Sequence, residues 1–279
     1  MNATSLLSPR NIPLYVAALA LLVFTTFPFL WMASTAFKVS NEIFATPPTL
    51  IPRTYTLANL ERLFAETRFL TYFLNSLKVS FSTVALTLAV ATPAAYSLTR
   101  YRFAGREAVA ATVLFAYMFA PIMIIIPFYV MMRFIGLNNT HFGLVLAYSA
   151  FCLPFALWML RTFFQSIPFD IEQAAMIDGA SRRQVIQYVV LPLALPGVVA
   201  TGIFTFILAW NDYIFARVLL SADKLKTLPV GIADLYNASV VDWGMIMAAG
   251  LLVIAPVLLV FVFIQKYMVA GLASGGVKG

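Results

Sequence analysis

Six long stretches of this sequence contain no Asp, Glu, Lys or Arg and are rich in apolar residues: 11–37, 79–99, 108–132, 134–160, 184–211 and 243–265. A bilayer core about 30 Å thick is crossed by about 20 helical residues, so each stretch is long enough to span it. The whole chain is 62% hydrophobic and only 10% charged, whereas soluble domains are roughly 25% charged. We therefore predict an all-α integral membrane protein.

The 279 residues are interpreted as one transmembrane domain, 1–279, with six membrane-spanning helices. The first span is expected to be retained, because its apolar core is too long for a signal peptide. Six spans would place both termini on one side of the membrane. The distribution of Lys and Arg does not show whether this is the inner or the outer side, because the segments on the two sides of the membrane carry nine each. The predicted spans are 12–36, 79–98, 108–132, 142–160, 193–211 and 243–265.

Several kinds of function are poorly supported by the sequence. No ionisable residue lies at the centre of a predicted span, where proton-driven carriers usually need one. No GxxxxGK[ST] loop is present, so no P-loop nucleotide site is expected. The single Cys152 and the single His141 cannot build a metal cluster between them, and we expect no bound metal or cofactor and no catalytic residues. The net charge of +7 is better explained by lipid headgroups than by nucleic acid.

A polar segment at 168–192 interrupts the apolar pattern. Asp170 is a suitable N-cap, with Gln173 three residues later, and this predicts a helix from Ile171 to Asp178. Gly179 is expected at C′, where a left-handed conformation ends the helix. Ser181 and Gln184 predict a capping box for a second helix that runs to Pro192.

The first of these helices has a face of small and apolar residues, formed by Ile171, Ala174, Ala175 and, at its edge, Asp178. Alanines allow another backbone to approach closely, which suits a helix that lies in a groove of a partner protein. The alternative is a short amphipathic helix that rests on the membrane surface. The residues alone leave both readings open.

The segment resembles the "EAA" coupling loop of membrane subunits of bacterial ABC importers, in which E-A-A-x-x-x-G is followed after nine residues by I-x-L-P. Here Gln173 replaces the glutamate and Val189 replaces the isoleucine. The neighbouring Glu172 carries a charge, but we expect it to point elsewhere on the helix. The stretch AWNDYIF (Ala209–Phe215) is similar to sugar-type importers. The C-terminus QKYMVAGLASGGVKG (Gln265–Gly279) resembles the tail of the second, six-helix membrane subunit of maltose importers. The positions that correspond to the loop pattern, including the two departures at 173 and 189, are Gln173, Ala174, Ala175, Gly179, Val189, Leu191 and Pro192.

The resemblance implies a type I ABC importer permease fold and a role in carbohydrate import across the bacterial inner membrane. The implied partners are a second homologous permease subunit, a cytoplasmic ATPase dimer that uses ATP and Mg²⁺, and an extracytoplasmic sugar-binding protein. Both termini and the loop would be cytoplasmic. A stand-alone secondary carrier is the alternative, but it usually shows internal repeats and a charged midplane site. The expected ATPase-coupling residues are Glu172, Gln173, Ala174, Ala175, Asp178, Gly179, Leu191 and Pro192.

Two further groups of residues are candidates for function. The predicted tail, 266–279, would reach the ATPase interface through Gly275, Gly276 and Lys278, or else be a short stub. Trp210, Asn211, Asp212 and Tyr213 end the fifth predicted span, where they either line the substrate path or mark the water interface. Two segments are expected outside the spans on the opposite face: an interfacial helix within 57–70 and a contact loop at 221–242.

Overall fold

The computed structural model describes residues 12–119, 121–238 and 240–275, and among these every regular element is helical. The only β-type pairing there is an isolated bridge between Lys38 and Tyr55. Within these ranges, five helices are long and apolar enough to cross a membrane, and a sixth crossing is obtained if one bent pair of helices counts as a single span. This agrees with the six predicted spans.

A π-helical turn at Ile186–Val190 and a 3-10 turn at Asp223–Leu225 lie between α-helices. In chain order the α-helices are α1 (Ile12–Ala36), α2 (Ser40–Ile43), α3 (Ala58–Glu66), α4 (Phe69–Arg100), α5 (Arg106–Tyr117), α6 (Pro121–Phe134), α7 (His141–Ser166), α8 (Phe169–Ile177), α9 (Arg182–Val185), α10 (Leu191–Asn211), α11 (Ile214–Leu219), α12 (Leu228–Tyr236) and α13 (Trp243–Gly275).

The helices depart from the predicted spans in two ways. The span predicted at 108–132 is divided between α5 and α6, whose axes differ by 101°. Pro121 begins α6, and a proline disfavours helical geometry in the residue before it, so an interruption here has a clear cause. Helices α4 and α13, with 32 and 33 residues, are also longer than the charge-free stretches 79–99 and 243–265 that predicted them, and α7 continues to Ser166, beyond the predicted end of its span at 160.

The chain divides into two compact units, which are described separately: one comprises residues up to 69 together with 234–255, and the other comprises 70–233 and the residues from 256 onwards. In the first unit, Glu42 holds the segment after α2 in place. Its carboxylate accepts hydrogen bonds from the Thr49 hydroxyl and the Arg53 N–H, both at 2.8 Å. These bonds, the Arg53 N–H foremost, lower the pKa of Glu42 below its usual value, so the carboxylate is ionised at neutral pH.

The second unit is organised around α7, which packs against α10 and α5 and is the most buried of the long helices. One apolar cluster, with Val79, Leu144 and Ala216, lies towards the N-terminal half of α7. Another, with Ala95, Leu160 and Val190, lies towards its C-terminal half. Helices α7 and α10 approach closely at Gly197, where an added Cβ would lie 2.3 Å from the Phe163 ring. These contacts fix the positions from which α8 and α9 project.

Candidate coupling site

The segment that follows α7 forms two short helices joined by a tight turn, as the sequence predicts. However, α8 begins at Phe169, with Pro168 in the N-cap position. The prediction that Asp170 caps this helix is therefore wrong: Asp170 lies inside the first turn, and Gln173 is too far along the helix to reach the cap. Proline has its φ fixed near −65°, and Pro168, at φ −57°, sets the entry into the helix two residues earlier.

The turn after α8 has the geometry predicted for Gly179, which adopts φ +91°. The Gly179 N–H donates to the Met176 carbonyl at 3.1 Å, and the Ala180 N–H donates to the Ala175 carbonyl at 3.0 Å. This pair of bonds is a Schellman motif, and it satisfies two carbonyls at the end of α8. The direction in which the chain leaves α8 is thus determined by a glycine, which adopts a left-handed backbone conformation at little energetic cost.

The predicted capping box of the second helix is confirmed. The Ser181 Oγ accepts from the Gln184 N–H, and the Gln184 side chain accepts from the Ser181 N–H at 2.8 Å. The helix does not end at Pro192, however. It passes through the π turn at Ile186–Val190 directly into α10. Pro192 has no N–H to donate to the Tyr188 carbonyl, so the regular α-helical bond is absent at this point. The π turn, which is wider than an α-helical turn, lies just before this proline. Helix α9 and the membrane span α10 therefore form one continuous rod.

Glu172 is the most informative residue of α8, and its role was missed by sequence reasoning. The residue is 1% exposed, and its carboxylate accepts hydrogen bonds from Arg100 Nε at 2.5 Å and Tyr96 Oη at 2.8 Å. Arg100 also donates to the Ile167 carbonyl at 2.9 Å. We call Tyr96, Arg100 and Glu172 the inner clamp. Because Arg100 is the last residue of α4, the inner clamp fastens α8 to the end of that membrane helix.

The remaining predicted coupling residues divide into an exposed and a partly covered set. Gln173, Ala174, Asp178 and Gly179 are exposed, as are Ile171 and Ile177, and Ile177 is 85% exposed. Ala175 is half-buried against the apolar cluster around Leu160. At the start of α10, Leu191 is partly buried and Pro192 is exposed. The predicted face of Ile171, Ala174, Ala175 and Asp178 is therefore exposed except at Ala175, which is turned partly inward.

The four residues predicted to lie near the substrate path have different surroundings. Trp210 is 1% exposed and packs between the rings of Phe73 and Phe206. The Asp212 carboxylate accepts from the Tyr148 hydroxyl at 2.8 Å and from the Ala216 N–H at 3.2 Å. Asn211 and Tyr213 are exposed, and Asn211 donates to the Ile207 carbonyl of its own helix.

Asp212 and Tyr148 line a cavity of about 540 Å³ whose walls are otherwise apolar and aromatic, with Phe128, Phe151 and Phe215 among them. Sequence reasoning found Asp212 through its position at the end of a span, but nothing in the sequence paired it with Tyr148. The tail residues Gly276 and Lys278 lie outside the described residues, and Gly275 is the last residue of α13.

A family model described as "Binding-protein-dependent transport system inner membrane component" matches residues 88–274, which include α8, α9 and the inner clamp residues Tyr96, Arg100 and Glu172. The match covers more than half of the chain, and the chain belongs to this family.

Two relatives and one solved structure illustrate the similarity. The chain is 36% identical over 265 residues to the sulfoquinovosyl glycerol transport system permease protein SmoH of Agrobacterium fabrum, covering 95% of this chain and 93% of SmoH. It is 32% identical over 273 residues to the trehalose/maltose transport system permease protein MalG of Thermococcus litoralis, covering 97% and 98%.

The fold is similar to that of a chain in the crystal structure of a bacterial ABC transporter involved in the import of the acidic polysaccharide alginate. The TM-score is 0.81 with 24% sequence identity, over 93% of this chain and 98% of the other. At that identity the likeness concerns the fold alone. The predicted fold class, an all-α type I ABC importer permease, is confirmed.

Proposed function

We propose that this chain is the membrane-spanning permease subunit of a carbohydrate importer, and that α8 and α9 couple it to ATPase subunits. The observation that carries the proposal is the attachment of an exposed helix pair to two membrane helices: α9 continues into α10, and the inner clamp joins α8 to α4. A displacement of α8 would therefore move two membrane-spanning helices together. A helix that only rested on the membrane surface would need neither attachment.

The carbohydrate class is supported by the relatives, whose names give trehalose, maltose and sulfoquinovosyl glycerol. In the proposed assembly, a second permease subunit completes the translocation path and a sugar-binding protein delivers the substrate from outside. ATP and Mg²⁺ are used by the ATPase subunits, and this chain contributes no nucleotide site. Both termini and α8 face the cytoplasm. The C-terminal residues Gly275, Gly276 and Lys278 are proposed to contact the ATPase subunits.

The direct test is uptake into proteoliposomes that contain this chain with its partner subunits. We expect accumulation of a radiolabelled disaccharide only when ATP is enclosed on the side of α8 and the binding protein is present on the other side. Uptake driven by an ion gradient without ATP or binding protein would show instead that the chain is a secondary carrier.

Asn211 tests the proposed substrate path. It is exposed at the end of α10 and bonds only to its own helix among the described residues, so its replacement leaves no buried partner unsatisfied. We expect Asn211→Leu to lower the uptake rate several-fold while the subunits still assemble, because a polar contact worth about 1 kcal/mol is removed. Uptake and co-purification of the partner subunits are the measurements. Unchanged uptake would show that Asn211 only marks the water interface.

A further inference from the structure

A second cavity lies between α4 and α7, near the ends of these helices that are remote from α8. Its volume is about 470 Å³. It has no part in the coupling geometry described above. Its lining combines a cation, a hydroxyl and an imidazole with aliphatic and aromatic side chains: Lys78, Val79, Ser82, Ala85, Leu86, His141, Phe142 and Val145.

The polar lining residues of the cavity lie near the membrane surface, and the apolar ones lie deeper in the membrane. Lys78 precedes Arg100, the last residue of α4, by 22 residues, a distance of about 33 Å at the helical rise. Arg100 is at the inner clamp, so Lys78 lies at the opposite boundary of a hydrocarbon core about 30 Å thick. Ser82 is one turn deeper, and Leu86 is about 12 Å deeper than Lys78. On α7, His141 is the first residue and Val145 lies one turn below it.

The charge at the mouth of this cavity is uncompensated. Lys78 is exposed, and it has no ion-pair partner among the residues that the structure describes. The imidazole of His141 is held by a contact of 2.9 Å between Nε2 and the Leu225 carbonyl, so this wall of the cavity is fixed. A lysine at the membrane surface attracts an anionic headgroup, and the apolar walls below it suit a hydrocarbon chain.

We propose that this cavity binds one anionic phospholipid. The headgroup phosphate is bound by the Lys78 ammonium and the Ser82 hydroxyl, and an acyl chain lies along Ala85, Leu86 and Val145. A free phosphate ion matches only the mouth and leaves the apolar part unfilled. The lipid belongs to the membrane leaflet on the side opposite α8. The identification of this leaflet as the outer one is the only step that rests on the proposed function.

Native mass spectrometry of the transporter in detergent provides the test, with phosphatidylglycerol and phosphatidylethanolamine added in equal amounts. We expect one phosphatidylglycerol to be retained in preference to phosphatidylethanolamine. Lys78→Gln should lower this retention about fivefold, which corresponds to the attraction of one lysine near a membrane surface. Ala85→Trp should lower it as well, because the indole fills the apolar part of the cavity. Soluble glycerol phosphate, which has no acyl chain, should not compete.

Lys224→Gln is the matched control. The Lys224 carbonyl accepts a hydrogen bond from Asn75, which is about one turn before Lys78 on α4, and Lys224 does not line the cavity. It should retain phosphatidylglycerol as the unaltered protein does. Equal retention by Lys78→Gln and Lys224→Gln would overturn the proposal. So would loss of the second permease subunit from the Lys78→Gln complex with lipid retention unchanged, since Lys78 would then serve a protein contact. Neither outcome bears on ATP-driven uptake, which tests the proposed function separately.

Discussion

Glu172→Ala should abolish most of the transport activity while the membrane helices still insert. The substitution leaves the Arg100 guanidinium, whose side chain is 8% exposed, without its carboxylate. Removing one partner of a buried ion pair typically costs about 3–5 kcal/mol, a factor of roughly a hundred or more in an equilibrium. We expect this cost to appear as release of α8 from the end of α4. The measurements are hydrogen exchange of the α8 amides and ATP-driven uptake in proteoliposomes.

Three comparison variants separate the loss of the inner clamp from a general loss of stability. Glu66→Ala breaks the exposed pair of Arg62 and Glu66 and should have little effect. Tyr96→Phe removes one hydrogen bond to Glu172 and should cost about 1 kcal/mol. The double variant Arg100→Leu with Glu172→Leu removes both charges and should be more stable than Glu172→Ala, because no buried charge is left unpaired. Protected α8 amides and full uptake in Glu172→Ala would contradict the account.

Gly179→Val is the second substitution with a large expected effect. No atom of the described part of the chain lies within 4 Å of a Cβ added at Gly179, so the cost is backbone strain at φ +91° and not a clash. Forcing a residue with a side chain into this conformation costs roughly 1–2 kcal/mol, and β-branching adds to it. We expect a changed angle between α8 and α9, poor co-purification of the ATPase subunits and ATP hydrolysis without uptake. Pull-down, ATPase and uptake assays measure these effects.

Gly136→Val is a matched control for this strain. Gly136 adopts φ +73°, also with no atom within 4 Å of an added Cβ, and it lies in the turn between α6 and α7, away from α8. It should retain the ATPase subunits. The two alanines of α8 provide a further comparison, since Ala174→Leu enlarges an exposed position whereas Ala175→Leu overpacks a half-buried one at a cost of about 1–3 kcal/mol. Normal uptake by Gly179→Val and Ala174→Leu would mean that α8 is a passive surface helix.

The sequence predicted those parts of the fold that depend on local chemistry. Charge-free stretches predicted the spans, because burying a charge in lipid is costly. The C′ glycine at 179 and the capping box of Ser181 and Gln184 were read correctly, because both motifs are formed by residues close together in the chain. The start of α8 was predicted wrongly because both Asp170 and Pro168 favour the beginning of a helix. The helix begins directly after Pro168, two residues earlier than predicted.

Contacts between distant parts of the chain were beyond sequence reasoning. Arg100 and Glu172 are 72 residues apart, and no local sequence pattern pairs them. Likewise, the sequence did not indicate that Asp212 accepts a hydrogen bond from Tyr148, which is 64 residues away; whether Asp212 faces a substrate path stays a prediction. The division of the third span into α5 and α6 was also missed. Apolar residues continue through the interruption, and the proline alone did not indicate the large angle between the two helices.

Cross-linking from the exposed tip of α8 tests the docking of this helix most directly. In a Cys152→Ala chain, Ile177→Cys places the only thiol at a position that is 85% exposed in the present structure. A photoactivatable maleimide on that thiol should cross-link to an ATPase subunit. The same reagent at Ile51→Cys, a position in the first unit that is 72% exposed, should not. Cross-linking of the ATPase from both positions, or from neither while ATP-driven uptake persists, would contradict docking at α8.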